Sequence, residues 1–174
     1  MTARMSTVGT ASRFTWALGL MPLTPDHRVL EVGCGHGLAL GLVAARLGAG
    51  WVLGIDRSAK MMAQAARRNA DAVRAGHVLL RTGTLASVDL GPEPFDLAFA
   101  INVSLFAGDA HVELTRLRER LRAGASLFLF HEAPVAGHAE RFGSAAARNL
   151  EAHGFKVRRL KGSPLRAAVV GTVP

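Results

Sequence analysis

Hydrophobic positions along the chain fall into short unbroken runs, separated by stretches in which they recur at helical spacing. Val29, Leu30, Glu31 and Val32 form one such run, of strand length and rich in β-branched residues, and Leu38 to Leu47 continues with helical spacing and almost no polar residues. Trp51 to Ile55 is a second apolar run, stopped by Asp56. His77 to Arg81 reads as a third strand, Phe95 to Asn102 as a fourth, and Ser126 to Phe130 as a fifth that ends at His131 and Glu132. Between these runs, Ser58 is placed to cap a helix whose apolar stripe is Met61, Met62, Ala65 and Ala66. Leu114, Leu117 and Leu121 mark the core face of another helix, whose far side carries Arg116, Arg118, Glu119, Arg120 and Arg122. An alanine-rich helix follows over about His138 to Ala152. After a turn at His153 and Gly154 come a strand Phe155 to Leu160, a tight turn at 162–164 and a last strand Arg166 to Val170.

The first strand-to-helix turn constrains function most tightly. It carries Gly33, Gly35 and Gly37 at every second position. Glycine reaches positive φ without steric cost and lets a bulky ligand approach the main chain, and free N–H groups opening a helix favour polar or anionic ligand groups. A nucleotide-like ligand is the natural reading. The spacing is G-x-G-x-G, with Leu38 and Ala39 where the dinucleotide pattern G-x-G-x-x-G would place another glycine. About twenty residues on, Asp56 ends the second strand, where a nucleotide-binding sheet sets a carboxylate to accept hydrogen bonds from both ribose hydroxyls.

The string Glu-Val-Gly-Cys-Gly-His-Gly over 31–37 resembles the first motif of class I S-adenosylmethionine-dependent methyltransferases. Residues 56–69, with the acid, a serine two on, paired methionines, alanines and Asn69, are similar to that family's second strand and helix. Gly83-Thr84-Leu85 stands where the family usually has Gly-Asp-Ala, Phe95 to Asn102 is similar to its fourth strand with Asp96 near the strand's start, and Leu121 to Ala125 resembles its Leu-Lys-Pro-Gly-Gly turn. The resemblance covers roughly residues 10 to 172. It implies a Rossmann-like, doubly wound α/β fold: a mostly parallel seven-stranded sheet with an antiparallel last strand, in a three-layer αβα sandwich. It further implies S-adenosyl-L-methionine as cofactor, S-adenosyl-L-homocysteine as product, and a cofactor site drawn from Glu31, Gly33, Cys34, Gly35, Gly37, Asp56, Arg57, Met61, Gly83, Thr84, Leu85 and Asn102. Thr84 replaces the acid that would receive the adenine amino group, so adenine recognition is expected to be weaker or differently arranged. At least one of Met61 and Met62 is expected to be plain core filling.

The implied reaction is in-line transfer of a methyl group to an O, N or C atom. Because the sulfonium is already a good leaving group, most of the catalysis can come from orientation. Where the nucleophile bears a proton a general base helps, and His131 and Glu132 at the end of the fifth strand are the best-placed candidates, with His111 behind them. The competing reading of His131 is a strand-end residue bonded to a neighbouring loop.

Composition sets outer limits. At 174 residues and 49% hydrophobic content, one domain over 1–174 buries a proper core. Residues 1–28 remain as a helical cap ahead of a cofactor-binding core over 29–174. Phe14, Trp16, Leu18, Leu20 and Met21 offer the cap an amphipathic face that can cover the cofactor, pack on the sheet edge or pair with a second copy in a homodimer. No apolar run is long enough to span a membrane and no secretory stretch opens the chain, so a cytoplasmic protein is expected. The single cysteine, Cys34, excludes an internal disulfide and a cysteine-cluster zinc site, and no metal is expected.

Net charge +8 with an isoelectric point near 11.3 raises nucleic acid as a partner. However, most arginines fall on solvent faces of helices, leaving one cluster of note: Lys156, Arg158, Arg159, Lys161 and Arg166. Enzymes that methylate exocyclic base amines carry an Asp/Asn-Pro-Pro-aromatic tetrad after the fourth strand; here the segment is Asn102-Val103-Ser104-Leu105, and the chain has no tyrosine. No cysteine outside the glycine turn is present to attack cytosine. Nucleic acid is thus disfavoured against a small-molecule acceptor. Two other classes stay open: a cofactor-binding protein without catalysis, to which Thr84 and the short loops lend weight, and an NAD(P)-dependent oxidoreductase, which the glycine spacing opposes.

Overall fold

The computed structural model describes residues 5–174, with side chains from Ser12 onward; residues 1–4 of the expected cap lie outside the described residues. Seven strands appear in chain order: β1 Arg28–Val32, β2 Trp51–Asp56, β3 Val78–Thr82, β4 Phe95–Ile101, β5 Leu121–Glu132, β6 Lys156–Ser163 and β7 Arg166–Thr172. They form one sheet in the order β3-β2-β1-β4-β5-β7-β6, with β7 antiparallel to both neighbours and the remaining pairs parallel. This is the doubly wound α/β architecture expected, including the antiparallel last strand. A tight hairpin makes β6 and β7 antiparallel, and β7 inserts between β5 and β6 so that each of its edges is paired. A dinucleotide-type sheet continues with a parallel sixth strand at that place.

The helices are α1 Met5–Leu20, α2 Leu38–Ala44, α3 Ala59–Arg68, α4 Ala70–Arg74, α5 His111–Arg120 and α6 His138–Ala152. Strand alternation sorts the core into two layers. Leu30, Val32, Ala98, Ala100, Leu127 and Leu129 face α5 and α6, where Leu114, Leu117, Phe142, Ala146 and Leu150 meet them. Val29, Val52, Leu97, Phe99, Phe128 and Phe130 face the other way, onto α1, α2 and α3 through Phe14, Leu18, Leu40, Val43 and Met62. Both faces of the central strands are therefore covered, which is why they read as continuous apolar runs. Phe95, Phe99, Phe106 and Phe130 are among the largest fully buried side chains, each contributing roughly 1.5–3 kcal/mol of burial.

Three local readings change. The helix after the glycine turn ends at Ala44, short of Leu47. The segment Leu121 to Ala125 is a wide irregularity inside β5: Phe95 pairs with Leu121 and Leu97 with Ser126, so four residues loop out between adjacent ladder pairs. Gly124 turns there at φ 79°, its N–H bonded to Val173 O, so Leu121 belongs to the strand and not to the helix. A 3₁₀ turn at Ser104–Ala107 and the short α4 carry no sequence signal of their own. Asp96 fastens this region, as one oxygen accepts from Arg28 N at 2.6 Å while the other pairs with Arg122 at 2.7 Å.

Sheet geometry splits the basic cluster. Arg159 lies on the α6 face, bonded to Glu140 at 2.9 Å and Ser144 at 3.3 Å, whereas Arg166 lies on the α1 face with Glu132. Lys156, Arg158 and Lys161 are exposed on the edge strand β6, where charge blunts edge-to-edge pairing.

Candidate cofactor and acceptor clefts

The order of the sheet reverses between β1 and β4, so the connections leaving those strands part to opposite faces and open a crevice at their carboxyl ends. A cavity of about 550 Å³ lies there. Each of the four strands that border it delivers residues at its end: Val32 and Gly33 after β1, Asp56 and Arg57 after β2, Gly83, Thr84 and Leu85 after β3, and Asn102 with Val103 after β4. Glu113 from the first turn of α5 closes the far side. Neither Val103 nor Glu113 was singled out by the sequence, since neither sits in a motif.

The glycine turn is held by its own amides. Gly33 and Cys34 donate to Ile55 O at 2.9 and 3.0 Å, Gly35 to Asp56 at 2.9 Å, and Gly37 to Cys34 O at 3.0 Å. The expectation of free N–H groups at the turn is thus corrected for these four. What glycine supplies is shape. At Gly37, φ is 76° and a Cβ would lie 2.7 Å from Asn69 Nδ2 and 2.8 Å from Ala65 Cβ, whereas at Gly35, φ is 53° and nothing lies within 4 Å. Gly37→Ala is accordingly expected to cost about 3 kcal/mol of stability, left-handed strain plus overpacking, and Gly35→Ala about 1–2 kcal/mol from strain alone. Paired thermal melts that give equal losses would contradict this packing. Asn69 shows why: it is buried, and its Nδ2 bonds both Gly37 O and Ala65 O at 2.9 Å, fastening the end of α3 to the turn.

Asp56 is preset as an acceptor. One oxygen takes Gly35 N and the other Ser58 N, each at 2.9 Å, and each oxygen keeps a further lone-pair direction. Ser58 caps α3 as expected, accepting from Met61 N at 3.3 Å. Met62 is buried beside Cys34, with sulfur atoms 3.6 Å apart, while Met61 is exposed. Glu31 projects to the α2 side of β1, beneath the turn. It is 2% exposed and its Oε2 has no hydrogen-bond partner; burial first, then the charge of Asp56, pushes its carboxyl well above the ordinary range. Burial, helped by Glu31 and Asp56, likewise raises the Cys34 thiol far beyond its usual value, in keeping with a side chain 6% exposed and packed on Met62. Thr84 turns its hydroxyl to Ser87 Oγ at 2.8 Å. Glu31, Cys34, Gly35, Gly37 and Met61 are not among the residues that line the cavity.

A second cavity, about 840 Å³, opens on the α1 side of β5 and β7. Asn102 lines both. It takes a left-handed φ of 58°, and its Oδ1 accepts from Glu132 N at 2.7 Å, tying β4 to β5 at the junction of the two clefts. Trp16 from α1, packed edge-on against Phe130 at 5.3 Å between centroids, forms one wall, with Ala133, Pro134 and Leu165 around the mouth. The amphipathic helix α1 therefore packs on the sheet and borders this second cleft. The two base candidates part company here. Alternation along β5 sends Glu132 into the cleft and His131 to the opposite face, stacked on Phe142 at 4.4 Å. Burial first, then His138, holds the His131 imidazole below its ordinary value. Glu132 is bound to Arg166 at 2.6 Å and lies 4.0 Å from Arg13. His111 pairs with His153 at 2.9 Å on the α5–α6 side of the sheet and lines neither cavity. Among the described residues no cluster of three or more His, Cys, Asp or Glu side chains could hold a metal ion, and no helix is long and apolar enough to cross a membrane.

A crevice at the switch point, with an acid ending β2 and a glycine turn ending β1, defines the class of nucleotide-cofactor α/β proteins, and the inserted antiparallel β7 separates it from the dinucleotide dehydrogenases. The family model for the methyltransferase domain matches residues 30–127, and the chain belongs to that family, as a class I S-adenosylmethionine-dependent methyltransferase with S-adenosylmethionine as cofactor. It is similar to trans-aconitate 2-methyltransferase of Methylobacterium nodulans, 34% identical over 110 residues, which is 63% of this chain and 40% of that protein. It is also similar to ribosomal protein L11 methyltransferase of Cupriavidus taiwanensis, 34% identical over 109 residues, 62% of this chain and 33% of that one. The matched stretch thus spans well under half of either relative. A SAM-dependent methyltransferase from Aquifex aeolicus shares the fold, with a TM-score of 0.78 at 19% identity over 92% of this chain and 89% of that one.

Proposed function

We propose that this protein, acting as one domain with residues 1–28 as its cap, transfers a methyl group from S-adenosylmethionine to a small molecule held in the cleft between α1 and the ends of β5 and β7. The observation that carries this reading is Asn102, which lines both cavities and so joins a cofactor-sized crevice to a second, larger one. When bound, S-adenosylmethionine supplies an activated methyl group on a positively charged sulfur. Asp56 is the acceptor for both ribose hydroxyls, supported by its two free lone-pair directions. Glu31 is assigned the cofactor's amino group, since its Oε2 is a buried carboxylate oxygen without a donor at the end of β1, next to the turn. Gly83, Thr84 and Leu85 border the adenine end, where the Thr84 hydroxyl, engaged with Ser87, leaves main-chain groups and the Leu85 side chain to define the pocket.

The chain's own contribution to the chemistry is orientation and exclusion of water. Among the described residues no uncommitted base faces the acceptor cleft: His131 is on the opposite face and Glu132 is paired with arginine. The acceptor atom therefore arrives ionised or with a free lone pair. The cleft, walled by Trp16 and Leu165 and about 840 Å³ in volume, has the dimensions of a small-molecule site. The two relatives bear names pointing to a small organic acid and to a ribosomal protein, so their names alone do not select an acceptor class. Incubation of a cell extract with the protein and methyl-labelled S-adenosylmethionine is expected to move label into the low-molecular-weight fraction. Label appearing only in protein or nucleic acid would reverse the assignment.

A further inference from the structure

We infer that the acceptor is a carboxylate, selected by the guanidinium groups of Arg13 and Arg166, an inference that rests on the methyltransferase reading above. Three charged side chains from distant segments meet in the acceptor cleft: Arg13 on α1, Glu132 at the end of β5 and Arg166 at the start of β7. Arg166 Nε donates to Glu132 Oε2 at 2.6 Å and its NH2 group to Ser12 Oγ at 2.8 Å, with its guanidinium over the Trp16 ring at 5.3 Å. That arginine is fixed on three sides. Arg13 is not. Its closest approach to Glu132 is 4.0 Å, its guanidinium lies 5.0 Å from the centroid of Phe14, and its Nε is buried with no hydrogen-bond partner.

Two guanidiniums face one carboxylate, so among the described residues that line the cleft one positive charge is left without a matching carboxylate. A buried N–H without a partner is costly, and a ligand oxygen beside Arg13 removes that cost. The planar fork of arginine matches a carboxylate in a two-bond arrangement. One uncompensated charge fits a monovalent carboxylate better than a divalent phosphoryl group, and the apolar wall of Trp16, Pro134 and Leu165 suits an organic body behind it. An acceptor that arrives ionised needs no base, and among the described residues no uncommitted one lines the cleft.

The test uses the full chain saturated with S-adenosylhomocysteine and follows benzoate, benzamide and phenyl phosphate by ligand-observed NMR. Benzoate is expected to bind at least about tenfold tighter than its neutral isostere benzamide. Arg13→Gln is expected to erase most of that preference and Arg13→Lys, which keeps the charge without the fork, to retain part of it, while S-adenosylhomocysteine affinity changes less than about twofold in either. Benzamide binding as tightly as benzoate, or a preference intact in Arg13→Gln, would overturn the inference, and phenyl phosphate binding tightest would replace the carboxylate by a phosphoryl group. A wild-type protein that takes no S-adenosylhomocysteine removes the underlying reading as well; one that takes it but ignores benzoate removes this inference alone.

Discussion

Asp56→Ala is expected to weaken S-adenosylhomocysteine binding about 100-fold, roughly 2.7 kcal/mol, the scale of losing hydrogen bonds from two ribose hydroxyls to a carboxylate. The carboxylate already accepts from Gly35 N and Ser58 N, so its free lone pairs are aimed before ligand arrives. The same substitution leaves those two amides unpaired and lowers stability by about 1–3 kcal/mol. A control separates the two effects. Ser58→Ala removes the cap on Met61 N and costs about 1 kcal/mol at the same helix end, yet it is expected to hold affinity within about twofold. Titration calorimetry on both variants checks this. An Asp56 variant that binds like wild type would take the acid out of the site.

Glu31→Gln is expected to move stability and affinity in opposite directions. In the folded protein burial raises the carboxyl well above its ordinary value, with Asp56 adding to it, whereas in the unfolded chain it titrates near the ordinary 4.5. Between those two points the folded state holds the extra proton, so the stabilising contribution is complete below about pH 4.5 and is lost as pH rises through the folded value. Glutamine keeps the shape and has no proton to lose. The variant should therefore melt higher than wild type at pH 8, by at least about 3 °C for roughly 1 kcal/mol in a chain of this length, and the gain should vanish by about pH 4. Its affinity for S-adenosylhomocysteine at pH 8 should nonetheless fall about tenfold, because a neutral amide pairs less strongly with a ligand ammonium than a carboxylate does. A variant that is both less stable and unchanged in affinity would contradict the role given to Glu31.

The sheet was legible because its central strands are covered on both faces and so stand out as apolar runs, and because the turn at Gly33 to Gly37 ends β1, beside the point where the sheet order reverses, while Asp56 ends the adjacent β2. The irregularity at 122–125 was not legible, since a turn that rejoins the same strand has the same composition as one that ends it. The acceptor cleft was hidden for a different reason. Ser12 and Arg166 are 154 positions apart, and only the insertion of β7 beside β5 brings them together. One available signal separates the base candidates: alternation through Phe128 and Phe130 places Glu132 on the α1 face and His131 on the other, so neighbours in sequence point to opposite sides of the sheet. Asn69 was visible only as part of a spelling, and its task of fastening Gly37 appears once α3 is laid beside the turn.

The crevice at the ends of β1, β2, β3 and β4 is expected to bind S-adenosylmethionine and its product. Calorimetric titration of the wild-type protein with S-adenosylhomocysteine, run beside NADH, tests it most directly. Micromolar binding of the thioether with no heat from NADH is the expected result. Silence toward the thioether, or binding of NADH in its place, would contradict the account at its root.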